Sequence, residues 1–155
     1  MTAKRLLIIL VNTDPRNPEE LGAPFYQAAV AAAMDHEVDV VCTATAGRLL
    51  RHGVAAALTI KPGASRSVLD FMRDAHAAGA RLWACPANLA LFDMGEADLI
   101  AECSGLMGVA AMMEIVMADG DLGHPQGDGT VGLAAVPAVV WHVVEQIGRE
   151  IVAAD

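Results

Sequence analysis

Arg81-Leu82-Trp83-Ala84-Cys85-Pro86-Ala87-Asn88-Leu89 reads as a short apolar strand that runs straight into the start of a helix. Pro86 suits a first helical turn, where the N–H it lacks would have no intrahelical partner. Cys85 falls at the junction. First-turn amides would point at its sulfur, and the positive end of a helix favours thiolate over thiol. Because Pro86 has no N–H, that anion cradle falls to the amides of Ala87 and Asn88. Cys85 is therefore the candidate reactive atom, and the competing reading is a small buried apolar cysteine.

Working outward toward the amino terminus, Ala78-Gly79 closes a helix whose apolar positions Val68, Leu69, Phe71, Met72 and Ala75 keep helical spacing, with Ser65 or Ser67 as its cap. The piece from Val54 to Ile60, before the turn at Pro62-Gly63, has no decisive pattern. Ala46 to Arg51 reads as a short helical stretch stopped by Gly53, and Val38 to Thr43 as a second strand. Leu6 to Val11 is a continuous branched apolar run, the pattern of a strand buried on both faces, and is expected to be a central first strand. Asn12 to Leu21, with two prolines, reads as a loop before an Ala-rich helix that opens at Gly22-Ala23-Pro24 and ends near Met34.

Toward the carboxyl terminus, Glu96 to Cys103 and Gly108 to Met117 read as two helices separated by Ser104-Gly105. Asp119 to Gly132 is rich in Gly with Asp, His and Pro, and is expected to be an extended loop. Val136, Val139, Val140, Val143, Val144, Ile147 and Ile151 then mark one apolar face of a terminal helix beginning near Pro137. Alternating strands and helices imply an α/β domain with a parallel sheet. The division expected is a core over 1–118, a Gly-rich loop over 119–135, and a helix over 136–155 that packs on the core or at a subunit interface.

Composition narrows the function. A chain of 155 residues, 55% apolar, suits one domain with a real core. It has no apolar run of the ~20 residues a membrane span needs, and Met1-Thr2-Ala3-Lys4-Arg5 leads directly into a strand without a cleavage site, so a cytoplasmic protein off the membrane is expected. Three widely spaced cysteines fit neither a disulfide framework nor a paired zinc site, which makes reduced thiols the default and leaves no metal expected. A formal charge of −9 disfavours nucleic acid, whose backbone is bound by clustered Lys and Arg.

The segment Gly79 to Leu89, the following Asp93-Met94-Gly95-Glu96-Ala97-Asp98-Leu99-Ile100, the opening strand with Asn12 to Ala33 behind it, Ala46 to Gly53 and Gly108 to Glu114 together resemble the DsrE/DsrF-like family of small sulfur-relay proteins. The resemblance covers about Lys4 to Ala118. It implies a single three-layer α/β domain with a parallel flavodoxin-like sheet, and assembly into trimers or hexamers, whether of identical or related subunits. In active members it implies a persulfide on the cysteine that corresponds to Cys85. The chain departs from the family after Ala118, where such chains usually finish with one more strand.

Other residues carry less chemical context. Cys42 lies in an apolar strand-like run and reads as core. Cys103 is a possible second thiol that could resolve or relay sulfur from Cys85. His124, with Asp119, Asp121 and Asp128 nearby, could supply a base or a metal ligand at a pocket rim, the alternative being a solvated loop; Asn12, after the first strand, is a second candidate for that rim. His36, His52, His76 and His142 have no motif around them. Met107, Met112, Met113 and Met117 read as core or interface filler. The loop after the first strand lacks a GxGxxG or Walker pattern, so no nucleotide or other tightly bound cofactor is expected.

The function expected is a sulfur carrier that receives sulfur from a donor protein on Cys85 and passes it to an acceptor's thiol. The alternatives are a non-catalytic oligomeric subunit or small-ligand binding module of the same fold, and a thiol redox sensor that forms a sulfenic acid.

Overall fold

A computed structural model of the chain describes residues 5–11 and 19–118. Asn12, His124, the Gly-rich loop and the terminal helix expected from the sequence lie outside the described residues. Four parallel strands, β1 (Arg5–Leu10), β2 (Glu37–Cys42), β3 (Arg81–Ala84) and β4 (Cys103–Leu106), form one sheet in the order β1-β2-β3-β4. The helices are α1 (Glu19–Ala33), α2 (Val54–Ala57), α3 (Val68–Ala77), α4 (Pro86–Leu91) and α5 (Val109–Ala118), with 3₁₀ turns at Ala44–Leu50 and Glu96–Asp98.

Strand side chains alternate between the two faces, and this alternation builds the layers. Ile8, Leu10, Val38, Val40, Cys42, Leu82 and Ala84 pack with Leu21, Phe25, Ala28 and Ala32 of α1 and with Val68, Leu69, Met72 and Ala75 of α3. On the other face Leu7, Ile9, Val41 and Trp83 pack with Met107 and with Met112, Ile115 and Val116 of α5. The result is the three-layer parallel α/β arrangement expected. β1 is buried on both faces, as its unbroken apolar run requires, yet among the described residues it lies at a sheet edge rather than at the centre. Apolar patterning reports which faces are covered and is silent about how many strands stand alongside.

Two local expectations are corrected, and two points the sequence left open are decided. α1 begins at Glu19, inside the stretch read as loop, because Leu21, Phe25, Ala28 and Ala32 form one buried stripe that carries the helix back past Pro24. Glu96 to Cys103 is not a helix. A single 3₁₀ turn ends at Asp98, Leu99 pairs with Arg51, Ile100 donates its N–H to the Leu50 carbonyl, and Cys103 opens β4. Cys103-Ser104-Gly105-Leu106 was illegible as a strand because it lacks an apolar alternation; Gly105, at φ +139°, sits where the β3–β4 register shifts. The piece Val54 to Ile60 is a one-turn helix followed by Thr59, which pairs with Ser67. Of the two serine caps, Ser67 is used: its hydroxyl accepts from the Asp70 N–H while the Asp70 carboxylate accepts from the Ser67 N–H. The Ser67 donors hold the half-buried Asp70 carboxyl below its ordinary range.

Among the described residues one charged side chain is fully buried in the sheet. Asp39, in the middle of β2, accepts from Arg5 (Nε 3.2 Å, Nη2 2.9 Å), from Arg81 (Nε 2.8 Å, Nη2 2.9 Å) and from Trp83 Nε1 (2.7 Å). These donors come from the two strands flanking β2, so the carboxylate ties β1, β2 and β3 into one register.

Candidate functional site

Cys85 stands one residue past the carboxyl end of β3, as the residue that precedes α4, with extended backbone at φ −77° and ψ 126°. Its N–H donates to the Cys42 carbonyl at 3.3 Å, and the carbonyl of the preceding Ala84 accepts from the Met107 N–H at 2.9 Å. The end of β3 is thus held between the ends of β2 and β4, at the sheet edge where open α/β sheets place their ligands.

The amide cradle expected for the sulfur takes a different form. The Asn88 N–H donates to the Cys85 carbonyl at 2.9 Å, and the Cys85 side chain accepts no capping bond. The role of Asn88 lies in its side chain, which is buried and donates from Nδ2 to the Ala44 carbonyl at 3.0 Å and toward the Cys42 carbonyl at 3.5 Å. Ala44 presents that carbonyl from a left-handed conformation at φ +46°. Gly47 packs directly against the carboxamide: a Cβ there would stand 2.7 Å from Asn88 Cγ. Asn88 therefore clamps α4, and Cys85 at its head, to the turn that follows β2. Sequence reading named Asn88 only for its amide. A polar side chain three residues behind a cysteine in an otherwise apolar helix is the signal that could have marked it.

The same turn is fastened to β1. Thr43 N–H donates to the Leu10 carbonyl at 2.8 Å, while Ala46 N–H and Thr45 Oγ1 both donate to the Val11 carbonyl, at 3.3 and 3.1 Å. Val11 is the last described residue before Asn12. Pro86 and Ala87 are exposed, and the Arg48 guanidinium lies 5.6 Å from the Phe92 ring centroid beyond the end of α4.

The three thiols sit in different environments. Cys42, the last residue of β2, is fully buried, and burial, with a smaller contribution from Cys103, pushes its thiol up to about 12. It remains protonated and inert at neutral pH. Cys103 is half-buried at the opposite end of its strand, pairs with Leu82, and directs its thiol to the Gly105 carbonyl at 3.4 Å. Leu82 is three residues before Cys85, so the two cysteines are separated by roughly 10 Å along the sheet. The structure does not bring them together. Cys85 itself is only 4% exposed. Among the described residues no group of His, Cys, Asp and Glu could hold a metal ion, and no helix is long and apolar enough to cross a membrane.

A family model for the DsrE/DsrF-like family matches residues 5–119. The chain belongs to the DsrE/DsrF-like family. The matched range takes in every strand and helix described above, from β1 through α5, and includes Cys85 and its Asn88 clamp. No curated protein matches this DsrE-like chain at a significant level. Residues from 120 onward lie beyond the family match.

Proposed function

We propose that this protein is a persulfide carrier acting in the cytoplasm, with Cys85 as the sulfur-bearing residue. The reading is carried by placement. Of the three cysteines, Cys85 alone stands outside the strands, at the sheet's carboxyl edge, in a chain of a sulfur-relay-related family. In loading, the Cys85 thiolate attacks the outer sulfur of a donor persulfide; a new S–S bond forms at Cys85, the donor's S–S bond breaks, and the donor leaves as thiolate. In unloading, an acceptor thiolate attacks the terminal sulfur of Cys85 and the Cys85 thiolate departs. Sulfane sulfur changes hands in both steps without net oxidation, so neither step calls for a cofactor. Donor and acceptor proteins are the partners this chemistry requires. Asn88 is a positioning residue, holding the Cys85 segment against the turn after β2.

The low exposure of Cys85 favours a second reading, a non-catalytic oligomeric subunit or binding module that keeps the fold. A carrier thiol has to meet its donor, so on the first reading Cys85 becomes exposed when the partner arrives. Intact-protein mass spectrometry after incubation with polysulfide or a persulfide-donating sulfurtransferase separates the two, using wild type, Cys85→Ser and Cys103→Ser. Addition of one sulfur atom's mass, lost in Cys85→Ser and kept in Cys103→Ser, is the expected result. Absence of an adduct with both donors would transfer the proposal to the second reading.

A further inference from the structure

Nine of the ten residues of α5 are apolar, with Glu114 the exception. A helix that is apolar on all sides belongs inside a protein. Only its inner side meets that condition here, where Met112, Ile115 and Val116 pack on the sheet. Val109, Met113 and Met117, spaced one turn apart, are 57%, 41% and 67% exposed, and Ala110 and Ala111 beside them are exposed too. The two sheet faces are also unequally covered. Among the described residues one carries α1, α3 and the turn after β2, whereas the other carries α5 alone and leaves Ile9 and Trp83 half-buried.

The sequence past Ala118 supplies a complement. Val139, Val140, Val143, Val144, Ile147 and Ile151 follow helical spacing, with Trp141, His142, Glu145, Gln146, Gly148, Arg149 and Glu150 between them. We propose that residues 137–151 dock as a helix, within the same chain, on the outer face of α5 along Val109, Met113 and Met117. Connectivity selects this occupant. The chain leaves from the end of α5 itself, and the connector of residues 119–136 contains Gly120, Gly123, Gly127, Gly129 and Gly132. A Gly-rich connector of that length has a root-mean-square span of about 20–25 Å, more than the ~15 Å length of a ten-residue helix. Tethering of this kind gives an effective concentration on the order of millimolar, above that of a free second copy at micromolar concentration. Ala110 and Ala111 leave room for the branched Val and Ile side chains to approach closely. The inference is independent of Cys85.

Methionine oxidation of the full chain by dilute hydrogen peroxide, read by peptide mass spectrometry, tests it. Met113 and Met117 are expected to oxidise about tenfold or more slowly than methionine in an unstructured peptide, at a rate unchanged when the protein is diluted a hundredfold. The double variant Val140→Asp/Val144→Asp is expected to remove that protection and leave the fully buried Met72 protected. Peptide-like oxidation of Met113 and Met117 in the wild type overturns the proposal. So does protection that fades on dilution, which assigns the face to a second copy, or protection that survives the double variant. Should Met72 open as well, Met113→Asp tests the contact from the other side: hydrogen exchange over residues 139–151 accelerates if the proposal holds, and unchanged exchange overturns it.

Discussion

Replacing Asp39 by Asn keeps the side chain's shape and removes its charge in the most demanding polar environment the sheet contains. The carboxylate is fully buried and receives five N–H donors on two oxygens. An Asn offers one acceptor oxygen and turns an NH₂ toward donors. If its oxygen takes the place of Oδ1, Trp83 Nε1 and Arg81 Nε keep a neutral acceptor, while Arg5 and the second Arg81 nitrogen lose theirs. The arginine side chains are 35% and 44% exposed and rehydrate, so their lost pairing is discounted to about 0–1 kcal/mol each. The buried NH₂ without an acceptor costs about 1–3 kcal/mol. The sum is a destabilisation of about 1–5 kcal/mol, or a fall in Tm of roughly 3–20 °C for a domain of this size. Urea unfolding at matched protein concentration measures it, with Arg5→Gln as a control expected to cost under about 1 kcal/mol. A loss below about 0.5 kcal/mol for Asp39→Asn, within ordinary surface-substitution range, would refute the argument that this carboxylate ties three strands together.

Two further outcomes follow from the cores around the thiol site. Cys42 has its pKa raised from 9.0 to about 12, so the folded state holds a proton that the unfolded state releases. Its stabilising contribution is complete below about pH 9 and is lost as pH rises toward 12, at about 1.4 kcal/mol per pH unit. Between pH 8 and 10.5 wild type should therefore lose about 2 kcal/mol more than Cys42→Ala in urea titrations, and parallel pH profiles would remove the assignment. Gly47→Ala places a methyl group against the Asn88 carboxamide and expels it from the Ala44 carbonyl. The expected cost is about 1–3 kcal/mol, together with faster alkylation of Cys85 by iodoacetamide; an unchanged alkylation rate would show that the Asn88 clamp does not position the thiol.

The continuous apolar run Leu6 to Val11, the strand-like stretch Val38 to Thr43, and the strand–Cys–Pro–helix junction at Ala84 to Ala87 are local patterns, and a local pattern fixes element type and the faces to be covered. From these the parallel α/β domain, and the position of Cys85 at a strand's carboxyl end, followed from the sequence, while the three-layer arrangement was implied by the family resemblance. Cys103-Ser104-Gly105-Leu106 became a strand because β3 offered it an edge, against its own weak pattern. The start of α1 was set by the burial of Leu21 against the sheet layer, which outweighed the nearby prolines. Asp39 received its five donors, and Asn88 its two carbonyls, from residues 34 to 46 positions away in the chain. Those contacts exist only once the strands have docked. Periodicity reports how each segment meets solvent and core, whereas partners distant in sequence are selected by packing, and so the tertiary structure alone decided what holds Cys85 in place.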